Sequence, residues 1–149
     1  MANRYYIISE VLFFNNKEDK KTWDFLSETE INLTIPCESK TPTLPEIKKI
    51  LVDLGLETKE IYNQSDRIEV SATQRDKKGI WLIFTDIKEE KQETNMFEIG
   101  RGSNPDLTIA FIKLLGRTHG KFLYYCDNGR MTLITKDKDT EQIKNEIYS

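Results

Sequence analysis

The hydrophobic and polar positions along the chain divide it into strand-like and helix-like stretches. Residues 31–36 and 67–73 alternate apolar with polar side chains, as half-buried strands do. The apolar run at 4–14 predicts a strand that is buried on both faces near its end, and the run at 80–87 predicts a central strand. Further predicted strands cover 95–100, 121–126 and 130–136. The pattern therefore predicts six or seven strands, with 67–73 and 80–87 joined as a hairpin.

Helical spacing of apolar residues predicts two main helices. Thr43 followed by Glu46 is the pattern of a capping box, and Gly55 fits the end of a helix over 44–54. Asn104 and Pro105 begin a second helix, predicted over 105–115, which ends at one of two following glycines, Gly116 or Gly120. Shorter helices are predicted over 21–29 and 140–148.

The dipeptide Asn128-Gly129 predicts a hairpin between 121–126 and 130–136. A two-residue type I′ turn needs positive φ at both central residues, which Asn and Gly tolerate best. With 149 residues and no linker-like tract, the chain is expected to form a single domain over 1–149. The expected fold is α+β: one mixed, mostly antiparallel sheet of six to seven strands, two main helices and a short C-terminal helix.

Charge and cysteine content narrow the functional classes. The formal net charge of −3 argues against direct binding of nucleic acid, which favours basic surfaces. No apolar run is long enough for a membrane span, and no signal-peptide pattern is visible. Two cysteines without a spacing motif, Cys37 and Cys126, are typical of a reducing compartment. We therefore expect a cytoplasmic protein with no membrane partner.

The lone histidine and Cys126 are the first candidates for chemistry. His119 precedes the predicted strand 121–126 and Cys126 ends it, so the strand separates them by about 20 Å. That distance is far beyond the reach of a thiol–imidazole pair. One histidine and two distant cysteines also supply no ligand cluster for a metal. We assign no catalytic residue, no metal and no cofactor, and expect a non-enzymatic protein.

The stretch GRGSNPD at 100–106 is the most ligand-like motif. A predicted strand runs into two glycines, an arginine and a helix N-terminus, which is how many anion sites are built. However, the third glycine of a dinucleotide fingerprint is missing, and Pro105 removes one N–H donor. An ordinary strand-to-helix loop is the alternative. The candidate ligand residues are Gly100, Arg101, Gly102, Ser103 and Asn104.

A resemblance rests on the stretch DLTIAFIKLLGRTHGKFLYYCDNGRMTLIT at 106–135, a buried helix followed by an Asn-Gly hairpin. With this stretch, its length, its acidity and its lack of a catalytic cluster, the chain resembles the small cytosolic immunity proteins of bacterial toxin systems. The resemblance implies a protein that binds a cognate toxin domain and blocks its active site or its access to substrate. It carries over no functional residues, because immunity proteins differ in fold.

Acidic residues between 24 and 69 give the best candidate for a partner-binding face. This segment holds ten acids and five bases, a net charge of −5, which leaves about +2 for the rest. An acidic face suits a basic partner such as a toxin or nuclease domain. A merely solubilising surface is the alternative for each acid. The candidate residues are Asp24, Glu28, Glu30, Glu57, Glu60 and Asp66.

Two other functions stay open at this stage. One is a small-molecule or nucleotide-binding domain that uses the Gly100–Asp106 loop. The other is an adaptor subunit of a larger assembly. The sequence leaves the oligomeric state open.

Overall fold

Seven strands and three helices make up the described part of the chain. The computed structural model describes residues 4–9, 41–64, 66–75, 78–87, 89, 92–94, 96–135 and 137–148. The elements in chain order are β1 Tyr5–Ser9, α1 Leu44–Asp53, β2 Glu57–Gln64, β3 Arg67–Thr73, β4 Gly79–Thr85, β5 Met96–Ile99, α2 Pro105–His119, β6 Phe122–Cys126, β7 Met131–Ile134 and α3 Thr140–Tyr148.

All seven strands belong to one sheet with the order β2-β3-β4-β5-β1-β6-β7. Every pairing between these neighbouring strands is antiparallel, so the expected α+β fold is confirmed, with an antiparallel rather than a mixed sheet. Because β5 and β6 both run antiparallel to β1, they run parallel to each other on either side of it. Helix α2 therefore makes the crossover from β5 to β6, past β1, which lies between them in the sheet.

The three helices share one hydrophobic core with one face of the sheet. Alternate residues of β3 and β4 enter this core, where they meet apolar side chains from all three helices. The strand members are Ile68, Val70, Ala72, Ile80, Leu82 and Phe84, and the helical members include Leu44, Ile47, Leu51, Ile109, Phe111, Leu115, Ile143 and Ile147. In β4, Ile83 lies between two of these residues and is buried as well. The predicted central strand is confirmed as β4, which pairs with β3 on one side and with β5 on the other.

Helix α1 begins as the sequence predicts. The Thr43 hydroxyl accepts the N–H of Glu46 at 3.4 Å, and the Glu46 carboxylate accepts the N–H of Thr43 at 3.1 Å. Both halves of the capping box are thus present. Gly55 follows the helix with a φ of 81°, a conformation in which glycine carries no steric penalty.

Helix α2 is longer than predicted. It begins at Pro105 behind the Asn104 cap, but it continues through Gly116 to His119. The predicted end at residue 115 is therefore one turn too early, and Gly120, with a φ of 84°, stands at the C-terminal boundary. Glycine is only a weak helix breaker, and the buried His119 side chain holds this last turn against the rest of the fold.

The hairpin of β6 and β7 is confirmed, but its turn differs from the predicted one. Only Gly129 has a positive φ, 96°, whereas Asn128 does not. The Gly129 N–H donates to the Cys126 carbonyl at 2.9 Å, and the Cys126 N–H donates to the Arg130 carbonyl at 2.8 Å. These bonds close a three-residue loop that ends in a left-handed glycine, the next most common hairpin connection after two-residue turns.

Strand β2 has no counterpart among the predicted elements. Its sequence, ETKEIYNQ, has no apolar alternation, and seven of its eight residues are exposed. A strand that is hydrogen-bonded on one side only and buries almost no side chains leaves no hydrophobic period to detect. Several predicted elements lie outside the described residues: the helix at 21–29, the strand at 31–36 and positions 10–14 of the first strand.

Helix α3 is fastened to the sheet by tyrosines. The ring centroid of Tyr148 lies 5.2 Å from that of Tyr5 and 5.9 Å from that of Tyr124, and the hydroxyls of Tyr124 and Tyr148 are hydrogen-bonded. Burial raises the pKa of Tyr148 to about 12 and also raises the pKa of Tyr124. Both phenols therefore stay neutral at physiological pH and can pack in the core.

Candidate functional site

Three of the six candidate acids lie on the outermost hairpin of the sheet, formed by β2 and β3 and called the edge hairpin below. Glu57 and Glu60 are within β2, and Asp66 is in the turn to β3 with a φ of 65°. Glu57 is the first residue of β2, whereas Glu60 lies inside the strand. The other three candidates, Asp24, Glu28 and Glu30, lie outside the described residues.

Glu60 is the acid with the most defined contacts. Its carboxylate forms an ion pair with Lys48 of α1 and accepts a hydrogen bond from the Asn63 amide at 3.3 Å. The hydrogen bond from Lys48 lowers the pKa of Glu60, although partial burial opposes this effect. Glu60 therefore stays ionised at neutral pH, and it links α1 to the edge strand.

Two exposed hydrophobic side chains accompany these acids. Ile61 is the extra residue where the register shifts between Glu60 and Tyr62, and it is 49% exposed. Tyr62, which pairs with Glu69 of β3, is 40% exposed. Sequence reasoning missed both residues because an isolated Ile-Tyr pair between polar residues has no period. The signal that the sequence offered was the residue type of Tyr62, because tyrosine is enriched at protein interfaces.

The Gly100–Asp106 loop uses most of its polar groups to hold itself together. The Gly100 N–H donates to the Trp81 carbonyl at 2.7 Å, and the Asn104 N–H donates to the Gly79 carbonyl at 2.8 Å. The Ser103 hydroxyl accepts the Trp81 N–H at 2.9 Å and donates to the Gly100 carbonyl at 2.8 Å. These hydrogen bonds hold the loop against β4.

The position of the Trp81 ring explains why residue 100 is a glycine. A Cβ at that position would stand 2.3 Å from the Cδ2 atom of the indole, so any side chain would displace the ring. The ring is fixed at its other end, where Nε1 donates to the Glu69 carboxylate at 3.0 Å. Gly102 has a φ of 84°, which accounts for the second glycine. Both glycines thus have structural reasons that require no ligand.

The N-terminus of α2 offers little to an anion. The Asn104 side chain already accepts the Leu107 N–H at 3.1 Å, and Pro105 has no N–H. Asp106 adds a negative charge in the first turn, 3.2 Å from the Lys144 ammonium. The adjoining cleft measures about 200 Å³ and includes the exposed Arg101 among its lining residues. Of the candidates in this loop, Arg101 has the side chain that remains available for a ligand or a partner.

His119 joins two helices. Its Nε2 atom lies 2.9 Å from the Glu46 carboxylate at the start of α1, and its Nδ1 atom lies 2.7 Å from the Thr118 hydroxyl. Burial alone would raise the pKa of Glu46, but the hydrogen bonds from His119 and Thr43 lower it below the usual value. Sequence reasoning found Glu46 as a cap and His119 as a lone histidine, but not their contact across 73 positions.

The contacts that link the Thr118 hydroxyl, the His119 imidazole and the Glu46 carboxylate do not include Cys126. Cys126 is fully buried in β6, where it is paired with Tyr5 in the sheet. A base-activated hydroxyl would also need a substrate cleft and donors for a developing oxyanion. The Thr118 hydroxyl lines neither of the two clefts described in this structure. The contact between Thr118 and His119 is explained as part of the polar contacts that join α1 to α2.

A larger cleft lies at the other end of α2 and was not predicted. It measures about 510 Å³ and lies between the end of α2, the end of β7 and the turn before α3. Three bases line it at intervals of four residues: Lys113, Arg117 and Lys121. The signal in the sequence was this spacing, which places the first two on one side of a helix. It was obscured because the helix was expected to end at residue 115.

Neither a metal cluster nor a membrane span is found within the described ranges. No group of three or more His, Cys, Asp or Glu side chains is arranged there as a metal site. Of the three helices described above, none has the length and hydrophobicity needed to cross a bilayer.

Comparisons of this chain with protein-family models, with curated proteins and with solved structures found no match.

Proposed function

We propose that this chain is a protein-binding protein, of the kind that neutralises a bacterial toxin domain, and that it binds its partner through the edge hairpin. The observation that carries the proposal is the exposure of β2. It is one of the two edge strands of the sheet and is eight residues long, with only Thr58 half-buried. Such a strand contributes little to a hydrophobic core, so its exposed side chains can serve an interface.

The edge hairpin combines charge with apolar contact area. Glu57 and Asp66 are exposed and form no ion pair within the described residues, and Glu60 stays ionised beside Lys48. Ile61 and Tyr62 lie between these carboxylates along the chain. Interfaces commonly place a few apolar or aromatic anchors inside a polar rim.

The bulge and the charges of β2 also limit what kind of partner fits. An open edge strand invites pairing with any other strand, and charged side chains and bulges are the usual protection against it. β2 has both, with Lys59 and Glu60 at its middle and the register shift beside them. This favours a partner that recognises side chains over one that extends the sheet. A basic surface, such as that of a nuclease toxin, supports fast and specific association with an acidic one.

Co-expression with the protein encoded by the adjacent reading frame in the native host tests the proposal. If that protein is a toxin, the wild-type chain should restore growth of the cells that produce it. The variant Glu57→Lys/Glu60→Gln/Asp66→Asn should fail to do so, and purified variant should associate at least about tenfold more slowly at low salt. Asparagine is used at Asp66 because it tolerates the positive φ there.

A matched control separates the hairpin from net charge. Asp127→Asn/Asp137→Asn/Glu141→Lys changes the charge by the same amount at the β6–β7 and α3 side of the molecule, and it should rescue growth like the wild type. If both triple variants lost binding equally, the effect would belong to net charge and the hairpin would not be the binding face. If the wild-type chain gave no rescue and did not bind that protein, the proposed function would be wrong.

A further inference from the structure

We propose that the cleft at the C-terminal end of α2 binds a small phosphate-bearing molecule through Lys113, Arg117 and Lys121. This site is separate from the edge hairpin and does not depend on the proposed protein partner. Three bases and one carboxylate, Asp137, are among the described residues of the cleft lining, in a chain whose net charge is −3. A basic cleft on an acidic molecule is a local feature that overall composition does not explain.

The bases are held to different degrees. The Lys113 ammonium donates to the Lys138 carbonyl at 2.6 Å and lies 3.3 Å from the Thr140 hydroxyl, which fixes it beside the start of α3. An ammonium has three hydrogens, so one remains for a ligand. Arg117 is exposed and forms no hydrogen bond or ion pair to another described residue. Its planar guanidinium is suited to bidentate contact with phosphate oxygens.

Gly116 supplies an independent observation. It lies inside α2, where glycine is less favourable than alanine by about 1 kcal/mol. Its φ is not positive, and a Cβ there would have no atom within 4 Å. Neither backbone conformation nor packing therefore accounts for this glycine. Its position in the cleft lining does, because a side chain there would take up the space in front of the bases.

The helix dipole accounts for only part of this arrangement. Bases in the last turn stabilise the carbonyl end of a helix, and Arg117 lies in that turn. Lys113 lies well before it, and the dipole interaction fades beyond one turn. The dipole also disfavours an anion there, but it amounts to roughly half a negative charge, whereas Lys113 and Arg117 place two positive charges against the single carboxylate of Asp137 in the described lining. The balance of charge favours an anion.

The size and the lining of the cleft indicate the class of ligand. A volume of about 510 Å³ lies in the range of sites for small organic ligands and exceeds what a bare ion needs. Ile134 provides an apolar contact and Thr135 a further polar one. Several bases that converge on one cleft suit a doubly charged phosphate better than a single carboxylate. The ligand is therefore a phosphate ester of roughly nucleotide size.

Pyrophosphate is the probe that tests this site, with binding followed by the amide signals of Gly116 and Gly120 in two-dimensional NMR spectra of the full chain. We expect saturable shifts at millimolar pyrophosphate. Arg117→Gln should weaken binding at least about tenfold, because it removes a charged bidentate contact. The matched control is Arg101→Gln, an exposed arginine at the opposite end of the same helix, which should leave the affinity unchanged.

Gly116→Leu distinguishes loss of the site from loss of the fold. Leucine favours the helix and meets no neighbour within 4 Å of its Cβ, so the unfolding midpoint should rise while pyrophosphate binding is lost. Absence of saturable shifts in the wild-type protein would overturn the proposal. Equal or greater loss of affinity in Arg101→Gln would do the same, since it would assign binding to the N-terminal loop. Retained binding in Gly116→Leu would show that the ligand does not occupy the cleft.

Discussion

Gly129 adopts a φ of 96° at the end of the loop between β6 and β7, a conformation that side chains with a branched Cβ resist. Gly129→Val should therefore lower the free energy of unfolding by about 1–3 kcal/mol. Chemical denaturation measures the effect, and Gly129→Asn is the control because asparagine tolerates this region and should cost much less. A midpoint for Gly129→Val that equals the wild-type value would contradict the hairpin loop described above.

Residues whose roles are local were predictable from the sequence, and residues with distant partners were not. Thr43 and Glu46 form their capping box within four positions, and Asn104 caps α2 over the same span. Gly100 looked like part of an anion loop, yet the reason for a glycine there is the indole of Trp81, nineteen positions earlier in β4. A glycine that makes room for a ring in the folded state leaves no mark on the local sequence.

The contact of Glu46 with His119 is what joins the start of α1 to the end of α2. Because this contact lowers the pKa of Glu46 in the folded protein, it contributes stability above the unfolded value, near 4.5, and that contribution is lost as the pH falls through the folded value. Glu46→Gln should therefore flatten the acid side of the stability profile. Denaturation midpoints measured from neutral pH to about pH 3 would show this.

Two comparisons sharpen this test. Glutamine can keep the capping box with Thr43, so the helix itself should survive the substitution. Glu57→Gln, at an exposed position without an ion pair within the described residues, should leave the profile as in the wild type. If Glu46→Gln showed the same acid slope as the wild-type protein, the hydrogen bond to His119 would have no energetic role.

Strands and helices with a buried face were predictable from the sequence, whereas β2, which has almost no buried face, was missed. β3 alternates buried with half-buried residues, and β4 contains a nearly continuous apolar run. The observed bounds of both strands agree with the predicted bounds to within two residues. β2 buries almost nothing and is held by backbone hydrogen bonds to β3, which depend little on the type of side chain. Glu57 and Glu60 were singled out from charge alone, but the strand that contains them, and Ile61 and Tyr62 beside them, were not predicted.

At the scale of the whole molecule, two surfaces of opposite charge lie at different parts of one sheet. The edge hairpin forms one edge, and the cleft lined by Lys113, Arg117 and Lys121 lies beside β7 at the other edge. Under the two proposals, charge that is separated in this way lets one small domain bind a basic protein and an anionic ligand at once. The net charge of −3 gave no sign of this division, because the negative charges of one surface and the positive charges of the other largely cancel when they are added.

The binding face can be located by hydrogen–deuterium exchange of the chain alone and in complex with its protein partner. Amides along β2 and in the turn to β3 are expected to exchange more slowly in the complex, because the partner covers that edge. Amides of β6 and β7 should exchange at the same rate in both states. Slower exchange confined to β6, β7 or α3, with β2 unchanged, would contradict the assignment of the edge hairpin as the binding face.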